Sequence, residues 1–361
     1  MHRLLVINPG STSTKVAVYE DVQPLFVETV RHSSQELAAF PHVMDQYQFR
    51  LQAILNLLRS REIPISSLSA VVARGGLLRP IASGTYLVNE KMVQELGRRD
   101  AERVHASGLG APLADEIARS VGIPAYIVDP VCVDEFDEVA RISGLPEIER
   151  KSLSHALNLK AVARRAAGDL GRPYSDLNMV IVHLGGGISV TAHRQGRMVD
   201  VNQALDGTGP FAPERAGGLP VGDVVRMCFG IHPYEDLDLS YEEMFKKLAG
   251  QGGLVAHLGT NDAVEVEARI RAGDERALLV YQAMAYQIAK GIGAMATVLK
   301  GKVDAVVLTG GLAYSKMLLG WIRERVSWIG PVLIYPGEDE MLALAQGALR
   351  VLQGEEEAKV Y

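Results

Sequence analysis

Residues 3–19, RLLVINPGSTSTKVAVY, decide the fold, because they encode two apolar strands joined by a short turn of small polar residues. The first strand ends at Asn8 and the second begins at Lys15, which predicts a β-hairpin with a polar loop. Residues 179–194, MVIVHLGGGISVTAHR, repeat this design with an apolar strand that ends at His183, a triple-glycine turn and an alternating strand. The two hairpins are separated by a constant offset of about 175 residues.

A second pair of similar segments follows the same logic, with one segment after each hairpin. AVVARGGLL at 70–78 and AVVLTGGLA at 305–313 are both short β-branched strands that run into a double glycine. One strand–turn unit that occurs twice per chain indicates an internal duplication, with one copy in each half. The alternative is a chance likeness between short segments.

Helical patterns alternate with these strands. Apolar residues recur at a spacing near 3.6, and two capping boxes mark helix starts. The predicted helices are 108–121, 152–170, 261–272 and 274–299, and the capping boxes are Ser33 with Glu36 and Ser240 with Glu243. Strands that alternate with helices predict an α/β protein, here with two similarly built lobes and a cleft between them.

Composition narrows the classes of partner. The 361 residues suffice for two domains at roughly 150 residues each. A net charge of -6 leaves no basic surplus for a nucleic acid or an anionic membrane. No apolar run reaches the ~20 residues of a membrane span, and the start lacks a signal-peptide core, so we expect a cytoplasmic protein. Cys132 and Cys228 lie far apart without CxxC spacing, which argues against a disulfide or structural zinc.

Glycine-rich turns directly after apolar strands are the candidate phosphate-binding elements. The P-loop, Rossmann, zinc-protease and nucleophile-elbow motifs are absent from the sequence. Glycines lack Cβ atoms, so backbone N–H groups in such turns can approach a phosphate closely, although hairpins also use glycine for geometry alone. The first turn adds hydroxyl groups and a cation that suit phosphoryl oxygens; the alternative is an ordinary polar surface turn. The turns contain Gly10, Gly75–Gly76, Gly185–Gly187 and Gly310–Gly311.

The segment NPGSTSTK at 8–15 resembles the first signature of the acetate and butyrate kinase family. These are carboxylate kinases of the superfamily that contains actin, the Hsp70 ATPase domain and the sugar kinases. The resemblance extends over nearly the whole chain. It is carried by HLGGGISVTA at 183–192, SHALNLKAVARRAAGDLGRP at 154–173, PERAGGLP at 213–220, LTGGLA at 308–313 and EDEMLALAQGA at 338–348. LDGTGPFAPERAGG at 205–218 and GGLLRPIASGTY at 75–86 are more similar to the butyrate kinase branch than to the acetate kinase branch.

The resemblance implies two duplicated actin-like, ribonuclease H-like lobes with an interlobe nucleotide cleft. The first lobe would comprise residues 1–153 plus 342–361. The second would comprise 154–341 and carry most of the nucleotide site. It further implies reversible phosphoryl transfer between ATP and a short-chain fatty carboxylate, with Mg²⁺, in a homo-oligomer whose only ligands are small molecules.

Residue by residue, the resemblance places four groups of functional side chains and glycines. The catalytic residues would be Arg74, Asp129, His155 and Arg215. The nucleotide contacts would be Asn8, Ser11, Ser13, Lys15, His183, Gly185, Gly186, Gly187, Asp262, Gly310 and Gly311. The carboxylate would contact Arg74, His105, Ser154 and Pro210, and the Mg²⁺ ligands would be Asp129 and Glu340.

The chemistry of the reaction agrees with this set. A carboxylate is already ionised at neutral pH and needs no general base, so catalysis must come from positioning and from cancelling negative charge. Each residue also has a plain structural interpretation. Arg74 precedes a glycine pair and would need an anionic partner if buried; Arg215 could be a solvated loop arginine. His155 lies inside the helical pattern 152–170, where a partly buried polar residue is common, and His183 could serve packing. Asp129 and Glu340 could be ordinary solvated carboxylates.

Several positions depart from the family pattern. The asparagine of the family's HLGNG is Gly186 here, and NDAV at 261–264 retains only Asp262 of the family's DFRD loop. The aromatic residue that precedes the histidine in acetate kinases is Ser154 here, which opens space for a longer acyl chain and favours butyrate or isobutyrate. Acetate or propionate kinase is the alternative. An actin- or Hsp70-like ATPase module is a remoter one, and it would need a partner-binding domain beyond the two lobes.

Overall fold

Two β-sheets are formed by the described residues of the computed structural model, which are 1–98, 105–205 and 207–361. The strands are β1 (Arg3–Pro9), β2 (Ser13–Glu20), β3 (Gln23–Arg31), β4 (Ala70–Ala73), β5 (Thr85–Leu87), β6 (Ala125–Val128), β7 (Asn178–Leu184), β8 (Ile188–Arg194), β9 (Arg197–Val201), β10 (Ala305–Gly310), β11 (Val332–Pro336) and β12 (Lys359–Val360).

The helices lie between these strands. They are α1 (Ser34–Leu37), α2 (Tyr47–Ser60), α3 (Glu90–Leu96), α4 (Gly110–Arg119), α5 (Glu138–Arg141), α6 (Ala156–Asp169), α7 (Val221–Cys228), α8 (Tyr241–Leu248), α9 (Gly253–Leu258), α10 (Ala263–Arg271), α11 (Glu275–Val298), α12 (Lys316–Val326) and α13 (Glu340–Leu352). Among the described residues, none of these helices combines the length and the apolar character that a membrane span requires.

The two sheets share one strand order. In the first, β6-β4-β1-β2-β3 is flanked at the β6 side by β5 and β12; in the second, the order is β11-β10-β7-β8-β9. Each contains a central antiparallel hairpin, β1–β2 or β7–β8, as the sequence predicts. The other edge of each hairpin's first strand pairs in parallel with the strand that leads to a glycine pair, β4 or β10. The shared order supports the internal duplication.

The chain divides into a first unit, residues 1–133 with 339–361, and a second unit, residues 134–338. The sequence placed these boundaries at 153/154 and 341/342. The segment 134–153 goes with the second unit because its side chains bond there: Glu135 accepts a hydrogen bond from Lys160 at 2.6 Å. Asp339 goes with the first unit because its carboxylate caps α13, accepting from the N–H of Leu342 at 3.1 Å.

Each unit has its own apolar core. In the first, α4 and α13 pack on the central strands, whose Leu5 and Val71 are fully buried. In the second, the 24-residue α11 packs on β8, and Ile288 and Ile292 lie in its buried face. These sheets are covered by helices, which is why their central strands read as nearly continuous apolar runs.

The helix predictions hold with one informative exception. Helices form within 261–272 and 274–299, and both capping boxes are present. In 108–121 a 3₁₀ turn (Ala106–Leu109) precedes α4. The prediction that His155 lies inside a helix is wrong. The helix begins at Ala156, and His155 is the residue before its first turn, because its imidazole bonds outside the helix to Ser189.

Gly347 tests the packing of α13 on β6. A Cβ at Gly347 would lie 2.5 Å from both Cγ atoms of Val128. Gly347→Ala should therefore lower the free energy of unfolding by ~1–3 kcal/mol through overpacking. Gly293→Ala in α11 is the matched control, since a Cβ there meets no atom within 4 Å. It should instead stabilise by up to ~1 kcal/mol through helix propensity. Calorimetric unfolding of both variants measures the difference, and equal behaviour would contradict this packing.

Candidate active site

The β1–β2 turn presents hydroxyl groups at the surface of the first unit. The N–H of Gly10 donates to the carbonyl of Ser13 at 2.8 Å and closes the turn. Ser11 is exposed and Ser13 is half-buried, while Lys15 is exposed on β2 opposite Asn8 in the strand register. The turn therefore offers hydroxyl donors beside one cation, as the sequence predicts for a phosphate-binding loop.

Glu340 connects two of the predicted residues. The side-chain amide of Asn8 donates to one carboxylate oxygen of Glu340 at 2.7 Å, and Nη1 of Arg74 contacts both oxygens at 3.0 and 3.1 Å. Arg74 follows β4, and its backbone N–H donates to Ile7 of β1 at 3.0 Å. The anionic partner that Arg74 was expected to need is thus a carboxylate of the same unit. Arg74 and Glu340 remain 25% and 20% exposed, so an added ligand has access to both.

His105 lies at the start of the 3₁₀ turn that precedes α4. Its Nδ1 accepts from the N–H of Ser107 at 3.2 Å and lies 3.0 Å from the Ser107 hydroxyl. Desolvation, and then the positive charges of Arg74 and Arg50, lower the pKa of His105. The imidazole is consequently neutral at pH 7, with its proton on Nε2.

Asp129 organises a turn within the first unit. It follows β6 in the left-handed region, at φ +39°, and its side chain is buried. Its Oδ1 accepts from the hydroxyl of Ser83 at 2.6 Å and from the N–H of Gly84 at 2.8 Å. These bonds hold the carboxylate in one orientation.

The two predicted magnesium ligands fit the metal in different ways. Among the described residues, no group of three or more His, Cys, Asp or Glu side chains could hold a metal ion. Mg²⁺ needs few protein ligands because it keeps several waters and binds substrate phosphates. The partly exposed carboxylate of Glu340 fits direct coordination. Asp129 is buried with Oδ1 engaged by two donors, so it fits contact through water.

Two stacked histidines lie beside the β7–β8 turn of the second unit. The rings of His155 and His183 are 3.8 Å apart at 12°. Nδ1 of His155 lies 2.9 Å from the Ser189 hydroxyl, and Nδ1 of His183 lies 3.0 Å from Oδ1 of Asn158. Because an amide oxygen only accepts, His183 carries a proton on Nδ1. Its Nε2 faces the carboxylate of Glu338 at 3.3 Å.

The guanidinium of Arg215 lies against the triple-glycine turn. A Cβ at Gly187 would overlap Nη1 of Arg215, so only glycine permits this approach. Nη1 also donates to the carbonyl of Ala204 at 2.5 Å. Arg215 is therefore held in place and is no freely solvated loop arginine. Arg215 also lines a small pocket whose walls combine apolar residues such as Ile188 and Pro210 with polar residues such as Asn202 and Thr208.

The remaining predicted residues of the second unit have local partners. Asp262 caps α10, because its carboxylate accepts from the N–H of Val264 at 2.8 Å. Gly310 adopts φ +95° beside the backbone of Leu184, and a Cβ there would overlap that backbone. Ser154 is 6% exposed, and its hydroxyl lies 3.8 Å from Sδ of Met198. The glycine turns at 185–187 and at 310–311 come together because β7 and β10 are paired.

The sequence did not indicate the residues that orient the predicted site residues. Ser189 and Asn158 hold the stacked histidines, and Arg50 lies under the β1–β2 turn. The first two give no signal in the sequence, since a serine and an asparagine among apolar residues are common. Arg50 does give a signal in the sequence. It occupies the helical spacing of Ile54 and Leu58, so a cation stands on the core face of α2.

The fold is shared with solved carboxylate kinases. The acetate kinase of Porphyromonas gingivalis matches with a TM-score of 0.79 at 19% identity, over 98% of this chain and 100% of that chain. A propionate kinase of Francisella tularensis subsp. tularensis matches with a TM-score of 0.74 at 18% identity, over 96% of this chain and 99% of that chain. The acetate kinase of Entamoeba histolytica matches with a TM-score of 0.74 at 15% identity, over 96% of this chain and 99% of that chain. The chain thus has the actin-like α/β fold of these kinases, and the predicted fold class is confirmed.

A match at the level of sequence accompanies the shared fold. The model of the Acetokinase family matches residues 148–324. That segment contains Ser154, His155, His183 and Arg215. The match covers just under half of the chain. The roles given to individual residues in either unit stay predictions.

The charge environment of His105 can be measured. In Arg74→Ala the pKa of His105 should rise toward its ordinary value, because one of the two cations that disfavour the imidazolium is removed. The ring signals of His105 in NMR spectra recorded across a pH series, assigned with His105→Gln, report this pKa. Arg59→Ala, at an exposed position of α2, is the control and should leave it unchanged. A pKa that is the same in all three proteins would show that Arg74 does not act on His105.

Proposed function

We propose that this protein reversibly transfers the γ-phosphoryl group of ATP to a short-chain fatty carboxylate, with butyrate or isobutyrate preferred, giving ADP and an acyl phosphate. The observation that carries the proposal is the position of Arg215. It lies against Gly187 of a glycine turn and lines a small pocket of mixed polar and apolar residues, inside the segment that matches the acetokinase model. A guanidinium fixed beside a glycine turn suits a carboxylate and the phosphoryl group that it receives.

The reaction requires cancellation of charge more than proton transfer. The carboxylate attacks in its ionised form, and negative charge develops on the equatorial oxygens of the transferring group. Arg74 would orient the carboxylate. Arg215 and His155 would stabilise the phosphoryl group, and the hydrogen bond to Ser189 keeps the imidazole of His155 in one orientation. His105 and Pro210 would complete the carboxylate contacts.

The nucleotide would be held by turns and short polar side chains. Hydroxyl and amide donors of the first unit would contact phosphoryl oxygens, and the glycine turns of the second unit would admit the phosphates to the backbone N–H groups. Glu340 would coordinate Mg²⁺ and Asp129 would contact it through water. When bound, the ion neutralises charge on the phosphate oxygens. The phosphate contacts are Asn8, Ser11, Ser13, Lys15, His183, Gly185–Gly187 and Gly310–Gly311, with Asp262 nearer the nucleoside.

Acetate or propionate is the second candidate substrate, because the solved structures that share the fold include acetate and propionate kinases. The small side chain of Ser154, directly before His155, favours the longer acid. By the same family resemblance we place the enzyme in the cytoplasm as a homo-oligomer, which light scattering of the purified protein tests.

Hydroxylamine trapping of the acyl phosphate tests the reaction. Wild type should form hydroxamate from ATP and butyrate. Arg74→Ala and Arg215→Ala should each lower kcat/KM by about 100-fold or more, since a lost preorganised charge contact costs ~3–4 kcal/mol in the transition state. Arg59→Ala is the control for removal of an exposed arginine and should retain full activity. ATP hydrolysis without hydroxamate from any C2 to C6 acid would reject the proposal. Near-normal activity in both arginine variants would show that the catalytic site lies elsewhere.

Ser154 tests the length of the acyl chain. Each extra methylene buried contributes up to ~0.8 kcal/mol, so two more carbons than acetate favour butyrate by roughly tenfold. Ser154→Phe should move kcat/KM toward acetate or propionate, chiefly by excluding the longer tail, whereas Ser154→Ala should preserve the butyrate preference. Because Ser154 is buried against Met198, thermal unfolding of both variants must accompany the kinetics. An unchanged butyrate-to-acetate ratio in a folded Ser154→Phe protein contradicts the role of this position.

A further inference from the structure

Arg50 is a fully buried cation beneath the β1–β2 turn. It lies on α2 with no exposed surface, and all five of its N–H donors are engaged. Two contact the side-chain oxygen of Gln46, at 3.0 and 2.8 Å. The others reach the carbonyl of Ser13 at 2.8 Å, the hydroxyl of Thr14 at 3.0 Å and the carbonyl of Ser11 at 3.1 Å.

Every one of these acceptors is electrically neutral. Within the part of the chain that the structure describes, no carboxylate lies at ion-pair distance from Arg50. A buried charge without a counter-ion is expensive, and burial lowers the pKa of Arg50 accordingly. Arginine nevertheless stays protonated at neutral pH. Among the described residues, this positive charge directly behind the turn has no carboxylate partner.

The contacts also orient the backbone of the turn. The guanidinium binds the carbonyl oxygens of Ser11 and Ser13 from the inner side. Carbonyl dipoles that would repel an anion are therefore directed inward. In a trans peptide the following N–H points the opposite way, so the N–H of Thr12 is directed away from Arg50. Ser11 and Thr12 are exposed on this outer side, where an anion would bind.

The charge of Arg50 reaches two histidines. It contributes to the lowered pKa of His105, second to desolvation and the charge of Arg74. It also lowers the pKa of His32, after desolvation and against the opposing charge of Glu36. His32 lies 2.9 Å from the hydroxyl of Thr14, which itself accepts from Arg50. Arg50 is thus coupled to the turn and to the proposed carboxylate contact His105.

We propose that Arg50 is a positioning residue for phosphoryl groups. It fixes the turn over 11–14 from behind and supplies positive potential, which a phosphoryl group on Ser11, Ser13 and Lys15 would balance. This inference rests on the proposed function for the identity of the ligand, the phosphate oxygens of ATP. It adds a residue that touches neither nucleotide nor carboxylate.

Calorimetric titration with Mg·ATP tests the proposal without turnover. Arg50→Met removes the charge and should weaken ATP binding by about tenfold or more, the scale of a charge-assisted contact. Arg59→Met, on the exposed side of the same helix, is the matched control and should bind as wild type does. A folded Arg50→Met protein that binds ATP within about twofold of wild type overturns the proposal. Titration with inorganic phosphate in the same proteins shows whether the effect needs the nucleotide.

Arg50→Lys separates the effect of the charge from the effect of the side-chain contacts. It tests the proposal if the Arg50→Met protein does not fold. A buried lysine has a lowered pKa, so the introduced amine should lose its proton within about pH 6.5–9.5. His32 and His105, whose pKa values lie below the ordinary value, are present in wild type as well, so the ratio to wild type corrects for their titration. ATP affinity relative to wild type should be highest at the low end and should fall severalfold as pH rises. A ratio that is constant with pH would show a purely structural role and overturn the proposal.

Failure of the reaction and failure of this inference give different results. A wild type that forms no hydroxamate, yet binds ATP with the dependence on Arg50 described above, rejects the proposed reaction and supports the inference. Hydroxamate formation with unchanged ATP binding in Arg50→Met supports the reaction and rejects the inference.

Discussion

Parallel pairing at the first strand of each hairpin is the constraint on which the rest of the structure depends. In the first unit, Ile7 of β1 lies opposite Ala73 of β4, so the next residues, Asn8 and Arg74, emerge at the same edge of the sheet. In the second unit, His183 of β7 lies opposite Thr309 of β10. Ladder hydrogen bonds fix this register. A slip of one residue would turn every side chain to the other face and disperse the polar groups.

Glycine residues after the paired strands permit the close contacts among the polar groups. The turns that follow these strands bring backbone and cationic side chains closer than a Cβ would allow. Gly187 admits the guanidinium of Arg215, and Gly310 admits the backbone of Leu184. Both contacts lie in the second unit, where apolar strands end next to its polar groups. Each cation is itself held by an acceptor: Arg74 by the carboxylate of Glu340, and Arg215 by the carbonyl of Ala204.

Much of this arrangement could be predicted from short-range patterns. Hairpins, glycine turns and capping boxes are encoded within a dozen residues, and two copies of one pattern implied two similar sheets. His155 was misplaced inside a helix because its orientation depends on Ser189, a residue 34 positions away. The segment 134–153 was assigned to the first lobe because sequence periodicity does not show that Lys160 binds Glu135. The cation Arg50 was visible in the pattern of α2, but its partners are backbone carbonyls of another element, which no sequence motif encodes.

The bond between Asn8 and Glu340 joins residues separated by 332 positions. While the chain is being synthesised, β1 and β4 leave the ribosome early, but α13 and β12 arrive only after the whole second unit. The second unit, residues 134–338, is contiguous and can complete its sheet first. The first unit must keep the surface that α13 covers open during that time. In the nascent chain, Arg74 therefore cannot pair with Glu340 until that residue has been translated, and the carboxylate that restrains Arg74 is among the last groups to be added.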